Sequence, residues 1–335
     1  MAIDLSKITD TDLFACTGED GVTYSVTGAQ FKALFVEEMP WDGEAGIYHV
    51  ILTDPTNISI TNQANIYNLA NQAQVSSIDA AGEWIVTGAN TQFKYSTGNW
   101  DFGDLTNTSA VTNMYYMFYD ARKFNSDLSM FDVGNVTDMK SMFSAAYEFN
   151  QDLSNWDVSN ATDMGNMFYS CFAFNQELSS WDVSNVKYMY QMFLDANVFE
   201  SDLSTKQVTV NGKTYTAWDT SRVIRMDRMF YGAFAFNSDL SNWNVSNVYD
   251  MQRMFFDARK FNSDISGWNV SGVKNGYEMS TMFADTETFN QDLSDWCVTT
   301  ITSAPDRFDE DALAWTGGDA TRPQWGTCPR GEDLA

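Results

Sequence analysis

Phe118, Phe143, Phe168 and Phe193 each close a Met-Phe dipeptide, and each lies 25 residues beyond the last. The series continues at Phe230, Phe255 and Phe283 after steps of 37, 25 and 28. A Phe-Asn dipeptide keeps the same metre at Phe124, Phe149, Phe174, Phe236, Phe261 and Phe289, with Phe199-Glu200 as the variant. Leu128, Leu153, Leu178, Leu203, Leu240, Ile265 and Leu293 follow, then an aromatic row of Phe131, Trp156, Trp181, Trp218, Trp243, Trp268 and Trp296. A unit this small cannot bury its own apolar face and must lay it on a neighbour. The fold class expected is therefore an α/β repeat solenoid of about 25 residues per unit, with a small β-rich N-terminal region.

Within a unit, Val136 to Met139 is short and bounded by Ser and Asn, which predicts a brief strand. Met139, Met142, Phe143 and Ala146 then recur at three and four, which predicts one or two helical turns. If the strands pair in parallel, like residues stack at about 4.8 Å and each row becomes a column of the core. Cys171 stands where other units place Ala146, Ala196 and Ala233, so it reads as a small buried hydrophobe.

The flanks break the metre. The expected division is an attachment module over 1–45, a β-rich domain or N-terminal cap over 46–100, repeats over 101–300 and a C-terminal cap over 301–335. Leu13 to Cys16 and Val22 to Val26 flank Gly18-Glu19-Asp20-Gly21 as a hairpin would. Thr27-Gly28-Ala29-Gln30 is a candidate capping box before a short helix from Phe31 to Phe35. Ile47 to Leu52 and Glu83 to Thr87 alternate in the manner of strands. Phe308, Trp315 and Trp325 supply apolar cover for the last unit, and Cys297 and Cys328 could pin it by pairing.

Charge and composition narrow the function. Forty-five acidic residues against 19 basic ones give a net charge of −26, which repels nucleic acid and anionic lipid. The first residues, Met1 to Lys7, lack the basic and apolar regions of a signal peptide, and no apolar run reaches membrane-spanning length. The single histidine, His49, lies outside the repeats, which argues against histidine-based catalysis or metal sites.

Several rows invite a functional reading. Asp127, Asp152, Glu177, Asp202, Asp239, Asp264 and Asp292 form an acidic ladder whose oxygens suit Ca²⁺. The alternative is that each carboxylate accepts turn N–H groups and faces water. A second row, Asp132, Asp157, Asp182, Asp219, Asn244 and Asn269, interchanges Asp with Asn, which points to turn hydrogen bonds rather than charge. The Asn row from Asn125 reads as a ladder that satisfies backbone groups. Because every unit carries its carboxylates equally, none is singled out as an acid/base pair, and an enzyme is not expected. The 12 residues inserted in the fourth unit are different: Lys206, Val208, Val210, Asn211-Gly212, Lys213 and Tyr215 have the pattern of a type I′ hairpin that should project, either as a binding element or as a tolerated loop insertion. Tyr188, Arg225 and Tyr249 break the repeat at exposed strand positions, as a binding face would and as an idle surface equally would.

The run Asn-Gln-Asp-Leu-Ser-Asn-Trp-Asp-Val-Ser-Asn at 150–160, with Met164 and Met167-Phe168, resembles the BspA-like bacterial surface-protein repeat, a relative of leucine-rich repeats. The resemblance spans about 100–300 and implies a leucine-rich-repeat-like, right-handed solenoid used in adhesion, with no catalytic residues. The 12-residue insertion and the absent secretion signal depart from that pattern. Asp12 to Thr17 and Val26 to Lys32 resemble a short module near the N-termini of tailed-phage virion proteins, notably those of marine cyanophages, which implies attachment to a particle. Together these make a non-enzymatic virion structural protein the leading expectation, as tail fibre, host-recognition appendage or capsid decoration. It would be assembled in the host cytoplasm, homo-oligomeric, and in contact with other virion proteins and a host surface protein or glycan. A bacterial cell-surface adhesin and a polysaccharide-degrading enzyme are the alternatives. No cofactor is expected beyond Ca²⁺ on the acidic ladder.

Overall fold

The computed structural model describes residues 108–109 and 111–331 in full, and the backbone of five strands before them. Of these, β1 (Leu13–Thr17) pairs antiparallel with β2 (Thr23–Thr27) in the register Leu13↔Thr27. The second group joins β3 (Gln74–Ile78) antiparallel to β4 (Trp84–Gly88), and β4 parallel to β5 (Thr106–Asn107), which leads into the first repeat. The expected strand near Glu83 to Thr87 thus lies one residue later. The expected helix at Phe31 to Phe35, the strand at Ile47 to Leu52, the capping box and His49 lie outside the described residues.

From Val111 onward each unit is laid on the one before. A single column of parallel bridges runs Asn113↔Asp138, Asp138↔Asp163, Asp163↔Tyr188, Tyr188↔Arg225 and Arg225↔Asp250. The expected strand at Val136 to Met139 is reduced to the one bridging residue. The expected helical turns do not form either: no α-helix occurs among the described residues. The reason lies in where the N–H groups go. Met114, Tyr116, Phe118 and Asp120 donate to Asp138, Lys140, Met142 and Ser144 of the next unit at 2.7–3.2 Å. Two residues four apart in each unit turn left-handed to present them, as at Tyr116 (φ 59°) and Asp120 (φ 53°), and the chain closes as successive tight turns. A left-handed L-residue costs about 1–2 kcal/mol, and only the ladder to the next unit offsets it.

The core is two interleaved phenylalanine columns. Phe118 stacks on Phe124 of its own unit at 4.1 Å and on Phe143 of the next at 5.3 Å, with ring planes 1° apart in the second pair. Phe143, Phe168, Phe193, Phe230 and Phe255 continue at 5.6–5.8 Å. These spacings exceed the 4.8 Å of the backbone ladder because stacked rings slide into an offset arrangement. Methionines, leucines and valines of each unit fill the space around the columns, and Cys171 is fully buried among them.

Trp rather than Phe occupies the third aromatic column for a polar reason. Each indole Nε1 donates to the carbonyl of the row-leading Leu or Ile one unit earlier: Trp156 to Leu128, Trp181 to Leu153, Trp218 to Leu178, Trp243 to Leu203, Trp268 to Leu240 and Trp296 to Ile265, at 2.8–3.3 Å. The carbonyls of Leu128, Leu153, Leu178, Leu240 and Ile265 also accept the N–H three residues on, so the indole fills their second lone pair; the Leu203 carbonyl, where the hairpin interrupts that turn, takes the Trp243 indole in its place. The Asn row is a second ladder: the backbone N–H groups of Asn150, Asn175 and Glu200 donate to the Oδ1 atoms of Asn125, Asn150 and Asn175.

At the far end the tail changes the packing. Phe308 and Trp315 meet Phe283 edge-on at 78°, and Trp315 meets Phe289 at 85°. Trp325 stands edge-on to Phe308, and a disulfide joins Cys297 to Cys328. The Arg322 guanidinium covers the Trp315 ring at 4.1 Å while pairing with Asp309.

Candidate interaction face

The acidic ladder is built into turns. Asp127, Asp152, Asp202, Asp239, Asp264 and Asp292 are exposed, and each Oδ1 accepts the N–H of the serine two residues on at 2.8–3.0 Å. Glu177, whose side chain is longer, is exposed too. Hydrogen bonds from Ser266 and Ser294 hold the Asp264 and Asp292 carboxyls below the ordinary range. Asp202 is resisted by partial burial, yet Lys206 and Ser204 bring it down to about 2. The second row makes the same turn, from Asp132 to Gly134 through Asn269 to Ser271. Among the described residues no three His, Cys, Asp or Glu side chains converge as metal ligands would.

The inserted hairpin forms as β6 (Lys206–Val210) and β7 (Lys213–Ala217), with Val210 opposite Lys213. Asn211 (φ 50°) and Gly212 (φ 79°) are both left-handed, the demand that Asn-Gly meets in a two-residue turn. Its placement differs from the expectation of a projecting element. Val208 and Tyr215 pack against the core, Tyr215 Oη donates to the Ser180 carbonyl at 2.5 Å, and Lys213 approaches Asp182 at 4.0 Å. Lys206 pairs with Asp202. The apolar alternation of the hairpin strands gave it a sticky side, so it lies back on the preceding unit with Asn211, Gly212 and Lys213 exposed at its tip.

The units differ along the bridge face. Just past the bridge column the rungs read Tyr115, Lys140, Gly165, Tyr190, Asp227, Gln252 and Ser280. Gly165 makes room for its neighbour: a Cβ there would lie 2.5 Å from the Tyr190 ring. Lys140 Nζ stands 5.6 Å from the Tyr115 ring centre and 5.7 Å from that of Tyr190, and Arg225 covers Tyr190 at 4.7 Å. Each contact is a cation on a π-face, worth about 0.5–1 kcal/mol at an exposed site and more as water is excluded. A hydrogen bond to Tyr190 holds the Lys140 ammonium above its ordinary pKa, and burial raises Tyr190. Burial also raises Tyr115, to about 12. Asp163 is raised by burial, with Asp138 adding to it.

The network continues along the stack. Asp227, 1% exposed, is held between Arg225 at 2.8 Å and Arg228 at 3.3 Å. Arg228 also donates to Gln252 Oε1, and Gln252 Nε2 donates to Ser280 Oγ. Of the residues singled out from the sequence, Tyr188 and Arg225 are bridge residues on this face and exposed Tyr249 adjoins Asp250. The hairpin tip lies elsewhere, beside Ser180 and Asp182. Tyr115, Lys140, Tyr190 and Arg228 were not singled out; the signal for them was a pair of adjacent rows whose residue type changes along the stack.

Cys171, the free cysteine among the described residues, is fully buried and its thiol is pushed up by desolvation. No described helix is long and apolar enough to cross a membrane. A family model described as Mycoplasma protein of unknown function, DUF285, matches residues 86–206 and 204–314. No curated protein and no solved structure matches the chain.

Proposed function

Because the chain belongs to the DUF285 family, a BspA-like repeat family, and keeps a constant core beneath one varied face, we propose that it is a non-enzymatic protein that presents this face to a partner. The fold we assign is a repeat solenoid in leucine-rich-repeat-like register, its loops being tight turns in place of helix. The observation that carries the functional reading is the contrast between rows. Core columns and turn carboxylates recur unit after unit, whereas the rows that hold Tyr115, Lys140, Tyr190, Arg225 and Arg228 change chemistry from unit to unit and tie these side chains to one another. What favours a binding face over an idle surface is that the varied side chains are joined to one another by cation–π contacts and ion pairs.

The placement we propose is a phage particle, as tail fibre, host-recognition appendage or capsid decoration, with the host surface as partner. Support comes from the N-terminal segment, Asp12 to Thr17 and Val26 to Lys32, and its resemblance to virion proteins. Family membership favours a second placement, a bacterial cell surface, in which the same face acts as an adhesin. The proposed role uses no cofactor. Immunogold labelling of purified particles and of host envelopes, with antibody against 100–300, separates the two. Labelled tails or capsids are expected; bare particles beside labelled envelopes would transfer the role to the cell.

A further inference from the structure

The one irregular step among the later units builds a groove. The step of 28 from Phe255 to Phe283 adds three residues between Val273 and Glu278, just before the bridge position. They coil as the 3₁₀ turn Gly276–Met279, capped by Asn275, and push Tyr277 outward until it is 71% exposed. The turn stands over a groove of about 720 Å³ whose other wall is the segment from Thr300 to Asp306. Its floor is buried and polar: Gln252, Ser280 and Thr281 are 5–6% exposed. Arg228 and Arg253 enter from adjacent rungs.

The two arginines differ in a way that bears on a ligand. Arg228 is locked by Asp227 and Gln252. Arg253 lines the groove, is exposed, and makes no side-chain hydrogen bond or ion pair among the described residues. In a chain of net charge −26, an unneutralised guanidinium inside a groove is an exception that asks for an anion. The acids nearby are mostly committed elsewhere. Glu278 accepts from the backbone N–H groups of Lys274 and Asn275, and Asp227 is shared by two arginines. Asp306 lines the rim. A planar cation, an exposed tyrosine ring and fixed amide and hydroxyl groups are the complement of a sugar ring bearing a carboxylate. The overall negative charge disfavours a densely charged polymer, since repulsion acts over about 8 Å at ordinary salt.

The geometry points to this groove as the binding site for a saccharide carrying a single carboxylate on its terminal or branch sugar, with Arg253 taking the carboxylate and Tyr277 the ring face. The inference rests on the presenting role proposed above but not on where the protein is displayed.

The test is titration of the purified full chain with oligosaccharides ending in glucuronate, galacturonate or N-acetylneuraminate, each beside its methyl ester. At least one acid is expected to bind, and its ester to bind about tenfold or more weakly, as loss of a charged hydrogen bond implies. Arg253→Ala should abolish that difference while leaving thermal stability unchanged. Tyr277→Ala should weaken acid and ester by a similar factor, and Lys123→Ala should change neither. No binding by any of the three acids, equal binding of acid and ester, or an unaltered preference in Arg253→Ala would each overturn the assignment. Binding with bare phage particles would leave the site standing and sink only the virion placement.

Discussion

Replacing Trp243 with Phe tests the claim that the tryptophan column is there for its N–H as well as its size. Trp243 is 3% exposed, stacks on Trp218 at 5.9 Å with planes 3° apart, and donates Nε1 to the Leu203 carbonyl at 2.8 Å. Phenylalanine keeps a ring in the column but removes the donor and part of the volume. Leaving the buried Leu203 carbonyl bare costs about 1–3 kcal/mol, and the space vacated by the larger ring adds about 1 kcal/mol. A loss of about 2–4 kcal/mol corresponds to a fall in Tm of about 4–16 °C for a folded unit of this size. Urea unfolding followed by circular dichroism measures it directly. A loss below about 0.5 kcal/mol, the range of a neutral surface change, would refute the reasoning.

Lowering the pH from neutral should first stabilise the protein. Burial raises the carboxyls of Asp163, Asp195, Asp250 and Asp285, so the folded chain binds protons more readily than the unfolded one down to about pH 4. Asp202, Asp264 and Asp292 lie below the ordinary value, and their support is lost as pH falls from about 4 toward 2. A Tm that climbs steadily from pH 4 to pH 8 would contradict this. Reducing the Cys297–Cys328 disulfide frees a loop spanning 31 residues, and a cost of about 3–4 kcal/mol should appear as a lower Tm with a phosphine reductant. Excising 206–217 joins Thr205 to Trp218 and restores the Leu-Ser-x-Trp spacing seen at Leu153 to Trp156, so the variant should stay folded and cooperative. A molten product by near-ultraviolet circular dichroism would show that the hairpin is a structural brace.

What the sequence could reveal was whatever recurs. The columns of Phe, Leu and Trp were legible as a core because each substitution in a row preserved size and polarity. The turn carboxylates were legible as turns because Asp and Asn interchange in the neighbouring row. The backbone between Met139 and Ala146 was misread as helix because spacings of three and four fit both a helix and a chain of tight turns. What distinguishes them is the destination of the N–H groups, which is a contact 24 residues away. The residues at the left-handed positions, such as Asp120, Ser170, Asp195, Gly232 and Asp257, carried a hint, since Asp and Gly tolerate that conformation. The groove was missed because its marker was a departure, the 28-residue step, and a reading tuned to regularity passes over such a step.

The edge-on rings at the end of the stack have a consequence for the molecule's colloidal behaviour. A structure that propagates by near-identical layers leaves, at its last layer, a surface on which another layer could be deposited, the same property that lets amyloid filaments elongate. Phe308 and Trp315 are rotated by 78° from Phe283, so the terminal plane no longer matches the lattice beneath it. A second molecule arriving there finds no parallel ring on which to deposit. The turned rings thus end the columns at this layer and leave no parallel face there to extend them.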